Sequence, residues 1–263
     1  QVGSLAMQQE GGRALVPAEP LQSLCAMSQG QHGSILTLTI DSILGPGSAV
    51  AVVSHMTVDP ADPAFQTPTK PIGPFFSTVQ SDAIAAERGG IMREDSGRGH
   101  RRVVASPRPR QLLEDSAIVA LLADGRVVLA GGGGGVAVTA DSSGGYLGVE
   151  AVIDKDAAAA CIARSLKADA LVLVTGVDAV SIDFGTPQAR VVHEMSIEQA
   201  EMHLGAGQFP AGSMGPKVRS AVDFVRSGGS TAVITSVDHL LQAIDPAIPT
   251  GTRIVASSMV STA

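Results

Sequence analysis

Between Arg126 and Val255 short apolar runs alternate with helical stretches. That alternation restricts the chain to an α/β fold with a largely parallel sheet covered on both faces. Arg126–Ala130 reads as a strand running into Gly131–Gly135, and Ile153–Lys167 as an alanine-rich helix. Ala170–Val174 reads as a strand ending at Thr175-Gly-Val-Asp178, and Ser196–Leu204 as a helix opened by a capping serine. Met214–Ser227 is a further helix, with Pro216 in its first turn where proline is tolerated. Thr231–Thr235, His239–Ile244 and Thr252–Val255 follow as strand, helix and strand. Ligands of such sheets sit at the carboxyl ends of strands. That rule singles out Gly131–Gly135, Thr175–Asp178 and the turn after Val255.

Upstream, two helices separated by the Pro17–Pro20 break are expected through Leu44, then a turn at Gly45–Gly47 and a strand at Ala49–Val53. Residues 57–75 are proline-rich and read as irregular. Asp82–Gly89 and Gln111–Leu122 read as helices, and five arginines fall between Arg93 and Arg108. The 57–110 stretch breaks the alternation, so it is expected to be a lid-like insertion within one domain spanning 1–263. Gln1–Leu15 reads as a helix already under way, as if the chain lacked an upstream piece.

Composition removes several function classes. A net charge of −7 argues against a nucleic-acid binder, and 3% aromatics with no tryptophan leaves no stacking platforms. No apolar run reaches the length of a membrane span, and a soluble cytoplasmic protein is expected. Cys25 and Cys161 lack metal-ligand spacing and read as buried thiols, and the six histidines are scattered, so no metal site is expected from the chain itself.

Lysine use is more telling. Only four of the eighteen basic residues are lysines. Three of them sit in tight motifs: Pro68-Thr-Lys70-Pro-Ile-Gly-Pro-Phe75, Val152-Ile-Asp-Lys155-Asp156 and Gly212-Ser-Met-Gly-Pro-Lys217. An ammonium on a flexible stem is a common phosphate binder. Lys155 and Lys217 each fall at a helix start, where the dipole also favours anions. Two carboxylates, Asp154 and Asp156, flank Lys155 and are placed to orient it, while Ser213 is placed to cap the helix that carries Lys217. Five consecutive glycines leave backbone N–H groups free to approach an anion. Glu94–Arg102 reads either as a solvated loop or as a mobile cover over an anionic substrate.

Taken together, these motifs resemble carbamate kinase, of the amino acid kinase family. The matching stretches run in order along the chain: Gln1–Gly3 with Gln8–Glu10, Cys25–Gly30, Val58–Pro60 with Asp62–Phe65, Pro68–Phe75 and Arg93–Val104. They continue through Gly132–Val138, Gly148–Asp156, Asp183–Gly185 and Phe209–Val218 to Gly251-Thr252. The resemblance implies an α/β/α sandwich with a small protruding subdomain, a homodimer, and reversible phosphoryl transfer between ATP and carbamate with Mg²⁺. By the same resemblance, Lys155 and Lys217 contact the transferring phosphate and Asp156 organises them. Lys70 rides on the protruding subdomain and closes over carbamoyl phosphate, with Gly132, Gly133 and Gly134 on the substrate side. Thr175, Val177, Asp178, Ser213 and Met214 line the nucleotide.

The chain also departs from the family. An initial strand with a Gly-Gly-Asn loop, and a later Gly-Asn-Gly-Pro loop, have no counterpart in it. Gly176 stands where the family usually has Asp, Ser181 where it often has Tyr, and Ala137 where it usually has Pro. Gln31–Ser34 departs from an aromatic-containing stretch. The leading expectation is a carbamate kinase working toward ATP formation in arginine or allantoin breakdown. The alternative is an inactive paralogue that binds a nucleotide or a partner. An acetylglutamate-type kinase is disfavoured by the Pro68–Phe75 and Arg93–Val104 insertion.

Overall fold

Proline decides the first two elements. Helix α1 (Val2–Gly12) ends before Pro17, and helix α2 (Leu21–Leu44) starts directly after Pro20, whose ring fixes φ at −59°. The computed structural model describes residues 2–210, 212–245, 247–248 and 250–256. Gln1, with which the first helix was expected to begin, lies outside the described residues, as does the turn beyond Ala256. The chain falls into two compact units, residues 1–158 and 159–263.

In the first unit, β1 (Ala49–Ala51) is followed by β2 (His55–Val58), β3 (Lys70–Phe76) and α3 (Thr78–Arg88). Then come β4 (Ile91–Glu94), β5 (His100–Val104), β6 (Pro109–Leu112), α4 (Asp115–Ala123), β7 (Val127–Leu129), β8 (Val136–Ala140) and β9 (Tyr146–Gly148). β1 pairs parallel with β7. A four-stranded sheet runs β6-β2-β8-β9, with β2 and β8 parallel and the outer two antiparallel. β3, β5 and β4 form a separate antiparallel sheet.

Three expectations are corrected in this unit. The 57–75 stretch is not wholly irregular, because β3 accommodates Pro71 and Pro74 at the edge of its sheet, where a missing N–H costs nothing. The helix expected at Asp82 starts at Thr78, because Ser77 and Gln80 form a capping box. Gln111 belongs to β6, so the helix expected there begins at Asp115.

Helix α5 (Lys155–Ser165) leads into the second unit, made of β10 (Ala170–Thr175), β11 (Val180–Ile182), β12 (Arg190–Val192), β13 (Glu194–Ser196) and α6 (Ile197–Gly205). α7 (Met214–Arg226), β14 (Thr231–Ser236), α8 (Leu240–Ile244) and β15 (Thr252–Val255) complete it. The sheet order is β10-β14-β15-β13, parallel except for the β14–β15 pair. α7 buries Val218, Ala221, Val222 and Val225, the i, i+3, i+4, i+7 stripe of an amphipathic helix. That stripe packs with Leu171, Leu173, Ala232, Ile234 and Ile254 from the strands. Phe224 is also fully buried there, which stabilises by about 1.5–3 kcal/mol. The Ser196 cap expected for α6 is present as a capping box with Gln199.

Candidate functional site

The glycine run joins β7 to β8 and winds into a single 3₁₀ turn. Gly131, Gly133, Gly134 and Gly135 all have positive φ. At Gly134 no other residue fits: an added Cβ would lie 2.3 Å from the Ile153 carbonyl oxygen. Buried side chains hold this loop from behind. Gln29 on α2 grips the Ser54 peptide twice, accepting its N–H at 2.9 Å and donating to its carbonyl at 3.2 Å. The Ser54 hydroxyl then accepts the Gly131 N–H at 2.9 Å. The Gly134 and Gly135 N–H groups donate to the carbonyls of Gly131 and Gly132. The expectation of five free donors is therefore corrected, because the turn uses its own carbonyls. The N–H groups of Gly132 and Gly133 have no partner among the described residues.

Lys70, Ile72, Gly133, Ile153 and Lys155 line a cavity of about 410 Å³ together with the start of α1. Three residues that the sequence placed far apart thus meet: Lys70 and Gly133 from the substrate group and Lys155 from the catalytic group. Gly132 and Gly134 flank Gly133 without lining the cavity. Asp154 does not orient Lys155, contrary to expectation. One oxygen of its carboxylate accepts the N–H groups of Asp156 and Ala157 at 2.9 and 3.4 Å, capping α5. Its other oxygen pairs with Lys70 Nζ at 3.0 Å. Burial pushes the Asp154 carboxyl up, but the charge and hydrogen bond of Lys70 and the two cap bonds outweigh it and hold it below the ordinary value. Lys155 lies 3.7 Å from the buried Asp156 carboxylate. The cavity therefore presents two ammonium groups beside two carboxylates and a glycine N–H, a donor set suited to an anion such as a phosphoryl group.

The Glu94–Arg102 stretch contains a largely exposed loop, residues 95–99, but it is not a bare cationic cover. That loop joins β4 to β5 in a hairpin, and the three arginines of the stretch are engaged. Arg98 and Arg101 both pair with Asp95 and stack on Phe75, while Arg102 pairs with Glu150.

In the second unit, β10 and β14 run parallel with Thr175 opposite Ser236, so both strand ends reach the same carboxyl edge. The Thr175–Asp178 loop leaves from that edge. Asp178 Oδ1 lies 3.0 Å from His239 Nδ1, which in turn lies 3.2 Å from the Ser236 hydroxyl. Hydrogen bonds from Ser236 and His239 hold the Asp178 carboxyl below its ordinary value. Val177 is exposed. Lys217 sits buried in the first turn of α7, and Met214 packs against the hydrophobic core. Ser213 occupies the cap position, but its side chain makes no capping bond because its backbone (φ −139°, ψ −79°) departs from the extended conformation of a capping residue.

Sequence reasoning missed Gln29 and Ser54 as supports of the glycine loop, and His239 beside Asp178. It also missed Asp154 as the partner of Lys70. A signal for Gln29 was available: it lies within Cys25–Gly30, a motif that had no assigned task.

The pattern of the amino acid kinase family matches residues 64–236. Carbamate kinase of Pyrococcus horikoshii is 38% identical over 260 residues, covering 97% of this chain and 82% of that protein. Carbamate kinase of Thermococcus kodakarensis is 40% identical over 261 residues, with the same coverage of 97% and 82%. Among solved structures, carbamate kinase from Giardia lamblia bound to AMP-PNP superposes with a TM-score of 0.89 at 36% identity, covering 98% of this chain and 82% of that one.

Proposed function

The chain belongs to the amino acid kinase family, within its carbamate kinase branch, and we propose that it moves a phosphoryl group between ATP and carbamate through the residues described above. One observation carries the assignment of residues: Lys70, Lys155 and Gly133, distant in sequence, line a single cavity. In this reading carbamoyl phosphate occupies that cavity. Lys70, Lys155 and the Gly133 N–H donate to the phosphoryl oxygens, where negative charge must be held during transfer. Asp156 keeps Lys155 near the cavity.

The nucleotide belongs to the second unit, at the carboxyl edge where Thr175, Val177 and Asp178 leave the sheet. Ser213, Met214 and Lys217 lie at the start of α7. AMP-PNP bound to the Giardia relative supports nucleotide binding. Among the described residues no group of three acidic, histidine or cysteine side chains forms a metal cage. Mg²⁺ binds through phosphates and one or two carboxylates. Mg²⁺ would arrive on the nucleotide, with Asp156 a carboxylate beside the cavity-lining Lys155, and would neutralise phosphate charge. The homodimer, the cytoplasmic location and a role in arginine or allantoin breakdown, in the direction of ATP formation, belong to the same reading and are supported by kinship alone.

The test couples ADP and carbamoyl phosphate to ATP detection. It uses this 263-residue chain and, where the gene extends upstream of it, the longer product as well. ATP formation by either supports the reading, and ATP formation by neither refutes it.

A further inference from the structure

The Lys70–Asp154 pair joins residues 84 positions apart, and each carboxylate oxygen serves a different element. One oxygen caps α5 at the N–H groups of Asp156 and Ala157. The other holds the ammonium at the start of β3. Exposed ion pairs usually contribute little. This one stands in the cavity wall, because Lys70, Ile153 and Lys155 all line the same space. The pair also leaves Lys70 with two free donors, since an ammonium has three and Asp154 takes one.

We propose that Asp154 is a positioning residue: through its second oxygen it anchors Lys70 so that the remaining donors face the carbamoyl phosphate, and through its first it fixes that anchor to the helix carrying Lys155 and Asp156. Asp154 itself does not touch the phosphoryl group. Without the anchor, Lys70 must surrender the freedom of its long side chain when substrate binds. The proposal rests on the carbamate kinase reading of the cavity.

Asp154→Asn tests it. Asparagine is a good cap and keeps its oxygen on the α5 N–H groups, which turns its NH₂ toward Lys70, where it cannot accept a hydrogen bond. The expected result is a KM for carbamoyl phosphate raised on the order of tenfold, the effect of losing one charge-assisted hydrogen bond, with the KM for ADP unchanged. In a Lys70→Met background the same substitution adds nothing further, because the group it positions is gone. Additive effects, an equal rise in both KM values, or an unchanged KM overturn the proposal.

Amide hydrogen exchange reads the anchor without turnover. In Asp154→Asn the amides of Lys70 and Ile72 exchange faster while those of α5 keep their protection. Unchanged exchange in β3 overturns the anchor. Failure of both wild-type forms to make ATP refutes the kinase reading, and the exchange result still decides whether Asp154 holds Lys70.

Discussion

Gly134→Ala is the sharpest test of how the glycine loop is built. The new Cβ would lie 2.3 Å from the Ile153 carbonyl oxygen, 3.0 Å from its carbon and 3.3 Å from its Cβ. The first contact is about 1 Å inside van der Waals range and is made with backbone, so the neighbour cannot rotate away. The φ of +103° adds strain that an L side chain resists, about 1–2 kcal/mol. Overpacking adds roughly 1–3 kcal/mol. Together these give about 3 kcal/mol, or a fall in Tm of roughly 6–12 °C. Relief has to come from moving Ile153, which immediately precedes the Asp154 cap, so substrate affinity falls with stability. Gly132→Ala is the internal control. Its φ is not positive, and its Cβ meets Gln29, at 3.5 Å from Cγ, 3.7 Å from Cα and 3.9 Å from Cβ, all ordinary contacts. Its Tm is expected to stay within about 2 °C of wild type. Thermal unfolding and the KM for carbamoyl phosphate measure both variants. Equal damage from the two, or a Gly134→Ala protein as stable as wild type, refutes the steric argument.

Other outcomes follow from the charges. Lys217→Met keeps the buried volume but removes the cation, so kcat falls by on the order of 10²–10³ with the fold intact by circular dichroism. Cys25 and Cys161 are buried, and burial raises both thiols, Cys25 to about 11. At pH 8 only about one Cys25 in a thousand is thiolate, so a disulfide reagent labels the native protein far more slowly than the urea-unfolded chain. Glu10 is pushed up by burial but held low by Arg88 and Arg13, and Asp154 is held low by Lys70. Depressed carboxylates stabilise fully above their unfolded values near about 4, and that contribution is lost as pH falls below them. Tm is therefore expected to drop steeply between about pH 4 and 3, and less steeply in Asp154→Asn.

In the second unit β10, β14 and β15 were legible in the sequence, because each carries its own apolar run, whereas the three-residue strands β11, β12 and β13 were not read at all. The boundaries of α6 and α7 came from Ser196 and Pro216, both local signals. The pairing within the 57–110 stretch was not legible. Arg98, Arg101 and Arg102 look like a free basic loop until β5 brings Asp95, Phe75 and Glu150 beside them. Short strands such as β9 and β12 carry too few residues to show a period. At the site, lysine scarcity and helix starts pointed to Lys70, Lys155 and Lys217. The division of labour between Asp154 and Asp156 depends on a contact spanning 84 residues, which no local pattern encodes.

Val58, the last residue of β2, pairs with Pro109, the first of β6. Residues 59–108 thus leave the sheet and return to it at neighbouring points about 5 Å apart. A two-residue hairpin turn spans that gap without disturbing either strand. The segment is in this sense a cassette whose ends are already spliced. Its outer parts are free to lengthen or be traded, while Ile72 and Val104, which share a buried cluster with Val136 and Val138 of β8, hold its inner part to the sheet.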